Sequence, residues 1–187
     1  MTFFDRHFPS WPPGVPKSLS VPRTSLYYNL EASARRYPGK AAIVYYGSSI
    51  SYQTLEREAT ALAGYLQQRC GVRRGDRVLL YAQNSPQFII GYYAILRADG
   101  VVVPVNPMNK SEELSHYIGD SDARTAIAAQ ELYREIEPHL AKGRIERCVL
   151  VAYSDYLGES TDLKVPEFVS APRSNPARAE VVLWNDA

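Results

Sequence analysis

Two polar loops hold the side chains whose types and positions best suit ligand binding. Residues 83–85 (Gln-Asn-Ser) follow one strongly apolar run, and residues 106–110 (Asn-Pro-Met-Asn-Lys) follow the next. If both runs are parallel strands, these loops lie at the carboxyl edge of the sheet, where open α/β sheets bind ligands. Asn84 and Asn106 are therefore candidate ligand contacts. Both loops also have a structural explanation, since Asn84 and Ser85 can cap a helix and Asn106 can form a turn with the proline after it.

Other chemistries lack a complete set of residues. Gly71 and Gly75 flank Val-Arg-Arg without a following Lys-Ser/Thr or a third glycine, so they do not form a phosphate-binding loop. His7, His116 and His139 have no carboxylate, cysteine or serine at the spacing of a triad or a metal site. We expect these histidines at the surface or on helix faces. The sequence thus predicts no catalytic residue and no metal ligand within the chain.

Composition restricts the class of protein. The chain has 187 residues, of which 45% are hydrophobic and 22% charged, as expected for one main globular core. A formal net charge of +1, with both signs interspersed, argues against a nucleic-acid partner. Cys70 and Cys148 lack the spacing of a zinc or disulfide site, which favours a reduced, cytoplasmic setting. The most apolar stretch, 88–96, is about half as long as the roughly 20 residues of a membrane-spanning helix, so no transmembrane segment is expected.

The periodicity of apolar residues predicts an α/β fold that would position both polar loops. A helix over 25–37 is followed by a hairpin around Gly47-Ser48 and by an amphipathic helix whose stripe includes Leu62. A mostly parallel sheet with right-handed βαβ crossovers then follows, and its strands at 77–83 and 101–105 are apolar enough to be buried on both faces. Its remaining predicted elements are helices over 88–96, 111–119 and 131–140 and strands over 124–128 and 147–152.

The domain organisation follows from proline positions and loss of periodicity. Residues 1–24 are predicted to be an extended proline-rich arm, 25–152 an α/β subdomain, and 153–187 an irregular segment. Val181–Trp184 forms a last apolar run that we expect to be unpaired, as in a truncated sheet. Apolar surface there and beside residues 88–96 predicts a homo-oligomer for this chain.

Four segments in order resemble the opening of acyl-CoA synthetases, specifically long-chain-fatty-acid–CoA ligases, and their adenylate-forming relatives. The similarity spans about residues 25–152. Residues 37–43 (YPGKAAI) resemble the family's YP-x-K-x-A pattern, and 50–55 (ISYQTL) resemble (L/I)(T/S)Y-x-x-L. Residues 71–78 (GVRRGDRV) with 84–88 (NSPQF) resemble GV-x-x-GD-x-V…NSPEF, and 94–107 (AILRADGVVVPVNP) resemble A-x-L-(K/R)-A-G-A-V-x-V-P-(L/V)-N-P.

The resemblance implies the N-terminal subdomain of the adenylate-forming ligase fold and an acid–thiol ligase as parent enzyme. Such an enzyme joins a small-molecule carboxylate to AMP using Mg-ATP, then transfers the acyl group to CoA. The family's phosphate loop, ribose-binding acid and catalytic lysine are absent here and are expected beyond Ala187. We therefore expect this chain to be an inactive scaffold that binds ATP, Mg²⁺ and CoA weakly if at all, and a fatty acid as substrate of the whole enzyme.

Two departures from the family pattern bear on the loops. Where relatives carry Gly-Ala before the strand at 101–105, this chain has Asp99-Gly100, and Asp tolerates the left-handed conformation that the turn needs. Many relatives place an arginine where this chain has Met108, which leaves Lys110 as the substitute candidate for a CoA contact. Three alternatives remain open: an aryl-CoA ligase, another adenylation enzyme, or a self-contained, non-catalytic α/β binding module.

Overall fold

The computed structural model describes residues 5–158 and 162–187. After an N-terminal stretch that includes a 3-10 turn at Phe8–Ser10, helix α1 spans Tyr27–Arg36. Strands β1 (Ala41–Tyr45) and β2 (Ser48–Ser51) then form an antiparallel hairpin. Its turn lies at Tyr46-Gly47, not at Gly47-Ser48 as predicted, and both turn residues have positive φ, +45° and +88°. A two-residue type I′ turn requires positive φ at both central positions, which fixes the register here.

Helix α2 spans Tyr52–Gln68 and is capped by Ser51, whose hydroxyl accepts a hydrogen bond from the Thr54 N–H at 3.2 Å. Its predicted apolar stripe is buried, including Leu62 at 5% exposure. Strand β3 (Arg77–Tyr81) follows, and then helix α3 (Pro86–Arg97). As predicted, Ser85 caps α3 through a hydrogen bond from the Phe88 N–H at 3.2 Å.

Five parallel strands form the main sheet. After α3 come β4 (Val101–Pro104), α4 (Ser111–Ser121), β5 (Thr125–Ala129), α5 (Tyr133–Ala141) and β6 (Arg147–Val151). A short helix α6 (Glu167–Ser170), strand β7 (Val181–Leu183) and a 3-10 turn (Trp184–Asp186) follow. The strand order is β4-β3-β5-β6-β7. Since the chain moves in opposite directions from β3 to β4 and from β4 to β5, right-handed connections place α3 and α4 on opposite faces. The predicted α/β class with a parallel sheet is confirmed.

The two edge strands differ from expectation. Strand β3 is buried on both faces, but β4 is an edge strand, and Val101 is 46% exposed. The continuous apolar run predicted burial on both faces for β4 as well. An edge strand has a neighbouring strand on one side only, and its sequence does not show this position. Val181–Trp184 was also wrongly predicted to be unpaired. Residues 181–183 pair in parallel with β6, and Trp184 packs against the core.

The C-terminal segment is therefore less irregular than predicted. Besides β7 it contains α6, whose Val169 is buried. Tyr156 joins this region to α2, since its hydroxyl donates to Glu58 Oε2 at 2.7 Å and accepts from Trp184 Nε1 at 3.2 Å. The apolar residues of β7 are half-buried, so the exposed patch expected there is not present. In the part of the chain that the structure describes, no helix combines the length and apolarity that spanning a bilayer requires.

Candidate functional site

The two candidate asparagines line one cavity at the carboxyl edge of the sheet. The cavity, of about 260 Å³, lies where β3 and β4 end, and besides Asn84 and Asn106 its lining includes Gln83, Phe88 and Pro107. Ligand pockets usually enclose about 300–1,000 Å³. This cavity has the size for part of a larger ligand. Its lining contains amides, prolines and one aromatic ring but no charged side chain, so it suits an uncharged group.

Hydrogen bonds hold the second loop in one conformation. Asn106 Oδ1 accepts from the Met108 N–H at 2.9 Å, and the Asn106 carbonyl accepts from the Asn109 N–H at 3.0 Å. Tyr81 is fully buried in β3, and its hydroxyl donates to the carbonyl of Asn109. The turn predicted at Asn106-Pro107 is thus present. The carboxamide oxygen of Asn106 is engaged, whereas its NH₂ group makes no hydrogen bond to the other described residues and can donate to a ligand.

The first loop is fixed by a tyrosine that the sequence analysis did not single out. Tyr153 is 1% exposed, and its hydroxyl accepts from the Gln83 N–H at 2.7 Å and donates to Glu131 Oε1 at 3.2 Å. Glu131 follows β5 and therefore lies at the point where the strand order reverses. The hydrogen-bonded Tyr153–Glu131 pair occupies this switch point, and the cavity lies beside it, between β3 and β4.

Burial controls the protonation of this cluster. Burial raises the pKa of Glu131, although hydrogen bonds from Tyr153 and Gln83 oppose the rise. Burial likewise raises the pKa of Tyr153, and it raises the pKa of Tyr81 to about 12 with a contribution from nearby carboxylates. Both tyrosines are therefore neutral hydrogen-bonding groups at physiological pH. They position the loops and do not supply a proton acceptor.

Lys110 does not line the cavity. Its Nζ lies 3.6 Å from Glu135 Oε1, and the same carboxylate lies 2.9 Å from Arg134 Nε. Glu135 Oε2 also accepts from the Ser111 N–H at 3.1 Å at the start of α4. Burial would raise the pKa of Glu135, but the hydrogen bonds from Arg134 and Ser111, with the charge of Lys110, lower it overall. Lys110 is thus held by an ionised carboxylate at the edge of the loop.

His139 stabilises the same helix start from one turn further along α5. It is 3% exposed, and Nε2 lies 2.9 Å from the Ser111 carbonyl and 3.2 Å from its hydroxyl. Burial lowers the pKa of His139, which favours the neutral ring. Glu135 and His139 are four residues apart and share a helix face. That spacing was the signal available in the sequence, but their partner, Ser111, is 24 and 28 residues away and only the fold identifies it.

Two of the groups that the family resemblance implies, Mg²⁺ and ATP, have no complete site among the described residues. Among residues 5–158 and 162–187, no three His, Cys, Asp or Glu side chains are grouped to hold a metal ion, so no Mg²⁺ site is assigned to them. The chain likewise has no complete phosphate loop, so no ATP step is derived from it. The uncharged cavity is compatible with an uncharged part of a CoA molecule, and Lys110 lies on the same loop outside its lining.

The sheet order and the position of the cavity define a doubly wound α/β protein with a candidate ligand crevice at the carboxyl edge. When β3 is counted as the first strand of the sheet, the strand order is 2-1-3-4-5, as in flavodoxin-like sheets. In such sheets ligands bind at the strand ends near the switch point. A comparison with family models makes the assignment specific. Residues 30–183 match the AMP-binding enzyme family, and this chain belongs to that family.

Curated relatives agree with the assignment. The long-chain-fatty-acid–CoA ligase of Bacillus subtilis (strain 168) is 31% identical over 147 residues, which cover 79% of this chain and 26% of the relative. The long-chain-fatty-acid–CoA ligase of Salmonella typhimurium is 34% identical over 148 residues, which cover 79% of this chain and 26% of the relative. The chain therefore spans about a quarter of the length of the relatives it matches. The expected family is confirmed.

Solved structures match the fold. A long-chain-fatty-acid–CoA ligase from Archaeoglobus fulgidus superposes with a TM-score of 0.66 at 32% identity, covering 75% of this chain and 29% of that one. The N-terminal subdomain of Klebsiella oxytoca NpsA superposes with a TM-score of 0.53 at 26% identity, covering 56% of this chain and 27% of that one. An anthranilate CoA ligase, at 22% identity and a TM-score of 0.66, shares the fold. The expected subdomain of the adenylate-forming ligase fold is confirmed.

Proposed function

We propose that this chain is the scaffold part of an ATP-dependent carboxylate–CoA ligase. The proposed overall reaction converts a carboxylate, ATP and CoA into acyl-CoA, AMP and pyrophosphate. The observation that carries the proposal is the family match over residues 30–183 together with relatives that are long-chain-fatty-acid–CoA ligases. Mg²⁺ would accompany ATP in the whole enzyme, at residues outside those described above.

A fatty acid is the proposed carboxylate. Two CoA ligases of known structure act on or bind anthranilate and benzoate, but they are 22% and 23% identical to this chain, whereas the archaeal fatty-acid ligase is 32% identical. The alternative of another adenylation enzyme is represented by a mycosubtilin synthase of Bacillus subtilis, 33% identical over 126 residues and 67% of this chain. The longer coverage by the fatty-acid ligases favours the fatty acid.

The 187 residues alone are expected not to form an acyl-adenylate, and to bind ATP and CoA weakly if at all. They contain the scaffold loops but no complete phosphate loop. Carboxylate-dependent exchange of labelled pyrophosphate into ATP, measured on the purified chain, checks this expectation. Exchange above a blank without protein would favour an enzyme that is complete in this chain. Tight binding of an unrelated ligand without exchange would instead favour the self-contained binding module.

Asn84, Asn106 and Lys110 are proposed to contact CoA in the second half of the reaction. We expect Asn84→Asp, Asn106→Asp and Lys110→Met each to raise KM for CoA about two- to tenfold, the range for losing one hydrogen bond. The Asp variants keep the side-chain oxygen, so Asn106→Asp retains the turn to Met108. A chimera carrying residues 30–183 in the Bacillus subtilis ligase provides the assay. Equal losses in pyrophosphate exchange and thioester formation would contradict a role confined to CoA.

A homo-oligomer and a cytoplasmic setting complete the proposal. The outer backbone edges of β4 and β7 have no neighbouring strand among the described residues, and such edges favour contact with another chain. The unpaired thiols of Cys70 and Cys148 support a reducing compartment. Light scattering over a dilution series tests the first point. A monomeric mass at every concentration would refute the oligomer.

A further inference from the structure

A cluster of basic side chains lies at the amino edge of the sheet, opposite the candidate site. The loops that precede β3, β5 and β6 meet there, as shown by a cavity of about 240 Å³ lined by Cys70, Arg77, Arg124 and Glu146 among others. A second cavity, of about 470 Å³, shares Arg124 with the first and extends to Arg144. We call residues 69–77, 120–124 and 142–147 the basic edge.

Basic residues outnumber acidic ones two to one in these three segments. The acidic side chains are Asp76, Asp120, Asp122 and Glu146, and the basic ones are Arg69, Arg73, Arg74, Arg77, Arg124, Lys142, Arg144 and Arg147. Next to these segments, Arg97 and Asp99 precede β4 and Arg178 and Glu180 precede β7, so each pair adds one charge of each sign. The excess of four positive charges exceeds the +1 of the whole chain, so the rest of the molecule is net negative.

Most of these cations are available to a partner. Two acids of the basic edge pair with Arg77 and Arg124: Asp122 lies 3.5 Å from each of them, and Glu146 lies 3.2 Å from Arg124. The Asp76 carboxylate accepts from the backbone N–H of Arg73 at 2.7 Å. Within the described residues, no carboxylate lies within 4.0 Å of the side-chain nitrogens of the remaining basic residues, all of which are exposed: Arg69, Arg73, Arg74, Lys142, Arg144 and Arg147.

The geometry points to a docking surface for an anionic lipid membrane on the basic edge, and this we propose. Each Lys or Arg near an anionic bilayer contributes about 1 kcal/mol to binding, and clusters of four to eight are typical of lipid-binding surfaces. Six exposed cations on one edge have no carboxylate within 4.0 Å and satisfy that condition, although Arg144 donates to the Ser115 hydroxyl and Arg147 to the Glu146 carbonyl. Since the cavity of the candidate site lies at the other end of the strands, a membrane bound here leaves that cavity accessible.

A lipid surface suits this edge better than a nucleic acid does. Sequence-independent binding of single strands combines a basic groove with aromatic platforms for the bases, and the basic edge contains no Phe, Tyr or Trp. The choice of lipid also rests on the proposed function, because a long-chain carboxylate is an amphiphile that partitions into bilayers. Vesicle binding requires no turnover, so its failure would leave the proposed ligase standing.

Co-sedimentation of the 187-residue chain with vesicles tests the proposal. We expect binding to phosphatidylcholine vesicles that contain about 30% phosphatidylglycerol and no binding to pure phosphatidylcholine. Raising the ionic strength from about 0.1 M to about 0.5 M should release the protein, because the Debye length falls well below 10 Å. No binding to the anionic vesicles at the lower ionic strength would overturn the proposal.

A charge-matched pair of triple variants locates the surface. Arg73→Gln/Arg74→Gln/Lys142→Gln should weaken binding at least tenfold, since each charge contributes roughly fivefold. Arg35→Gln/Arg36→Gln/Lys40→Gln removes the same charge from exposed positions outside the basic edge and should change binding less than threefold, because these residues lie away from the proposed contact. Equal losses in the two variants, with both folded by circular dichroism, would contradict the location. Tighter capture by a random RNA oligonucleotide at the same salt would contradict the lipid.

Discussion

At the scale of single residues, the Tyr153 hydroxyl connects the two strand ends nearest the switch point. It accepts from the Gln83 N–H after β3 and donates to Glu131 after β5. The tyrosine is buried, and its two partners, Gln83 and Glu131, are partly buried. A buried polar group without a partner costs about 1–3 kcal/mol. Tyr153 therefore stabilises the loop that carries Asn84 as well as the fold.

Tyr153→Phe should lower the free energy of unfolding by about 1–3 kcal/mol, because the Gln83 N–H loses its acceptor while the ring packing is kept. Urea denaturation followed by circular dichroism measures the change. Tyr28→Phe, at a side chain 49% exposed, is the matched control and should shift the midpoint little. An unchanged midpoint in Tyr153→Phe would show that the hydrogen bond contributes nothing to stability.

Glu131 should make stability depend on pH. Its pKa is raised above the ordinary value of 4.5 by burial, so the folded chain holds this proton more tightly than the unfolded chain. The corresponding stabilisation is complete below pH 4.5 and is lost as the pH rises through the raised pKa. The Glu131→Gln variant has no titrating carboxyl group at this position and does not lose this stabilisation. The stability of the variant relative to the unchanged chain should therefore increase between about pH 4.5 and 7. A difference that is constant over this range would contradict the prediction.

At the scale of elements, the turn from α3 to β4 shows how a departure from the family pattern is accommodated. Asp99 has φ +59°, and the Gly100 N–H donates to the Ile95 carbonyl at 2.9 Å, as in a Schellman motif. A Cβ on Gly100 would lie 3.0 Å from Ile95 Cγ2 and 3.2 Å from the Asp76 carbonyl. The expectation that Asp tolerates the left-handed position is confirmed, and a Cβ one residue later, at Gly100, would make tight contacts.

Substitutions at the two residues of this turn should therefore change the free energy of unfolding in opposite directions. Asp99→Gly should raise the free energy of unfolding by up to about 1 kcal/mol, because glycine has no steric penalty at positive φ. Gly100→Ala should lower it by about 1–3 kcal/mol through overpacking against α3 and β3. Thermal or urea denaturation of the two variants provides the measurement. A stabilising Gly100→Ala would mean that the turn has room for a methyl group.

Local patterns of apolar, capping and turn residues predicted every helix of the α/β unit and every strand from β1 to β6. Ser85 and Leu62, for example, lie where capping rules and the apolar stripe placed them. What it did not predict depends on contacts between distant segments. The edge position of β4 and the pairing of β7 follow from strand order, which local patterns do not encode. The same holds for the site, because Asn84 and Asn106 were found by their place after strands, whereas Tyr153 acts across 70 residues of sequence.

At the scale of the whole molecule, the parallel sheet separates two surfaces with different chemistry. The carboxyl edge has a small uncharged cavity with hydrogen-bonded loops, and the amino edge has unpaired cations. Parallel strands make this possible, since all loops of one kind lie at one edge. A ligase that takes amphiphilic substrates from a membrane would need these two properties on different surfaces. The proposed docking surface thus fits the proposed function without sharing residues with the site.

Thioester formation by a chimera is the most direct test of the claim that this chain is the scaffold of a fatty-acid–CoA ligase. Residues 30–183 replace the matched region of the Bacillus subtilis ligase, and acyl-CoA is measured with a long-chain fatty acid, ATP, Mg²⁺ and CoA. We expect acyl-CoA at a rate within about a hundredfold of the unmodified ligase, since a misplacement of about 1 Å already costs that factor. The isolated chain should form none. A chimera that folds cooperatively yet forms no acyl-CoA with any long-chain fatty acid would contradict the claim.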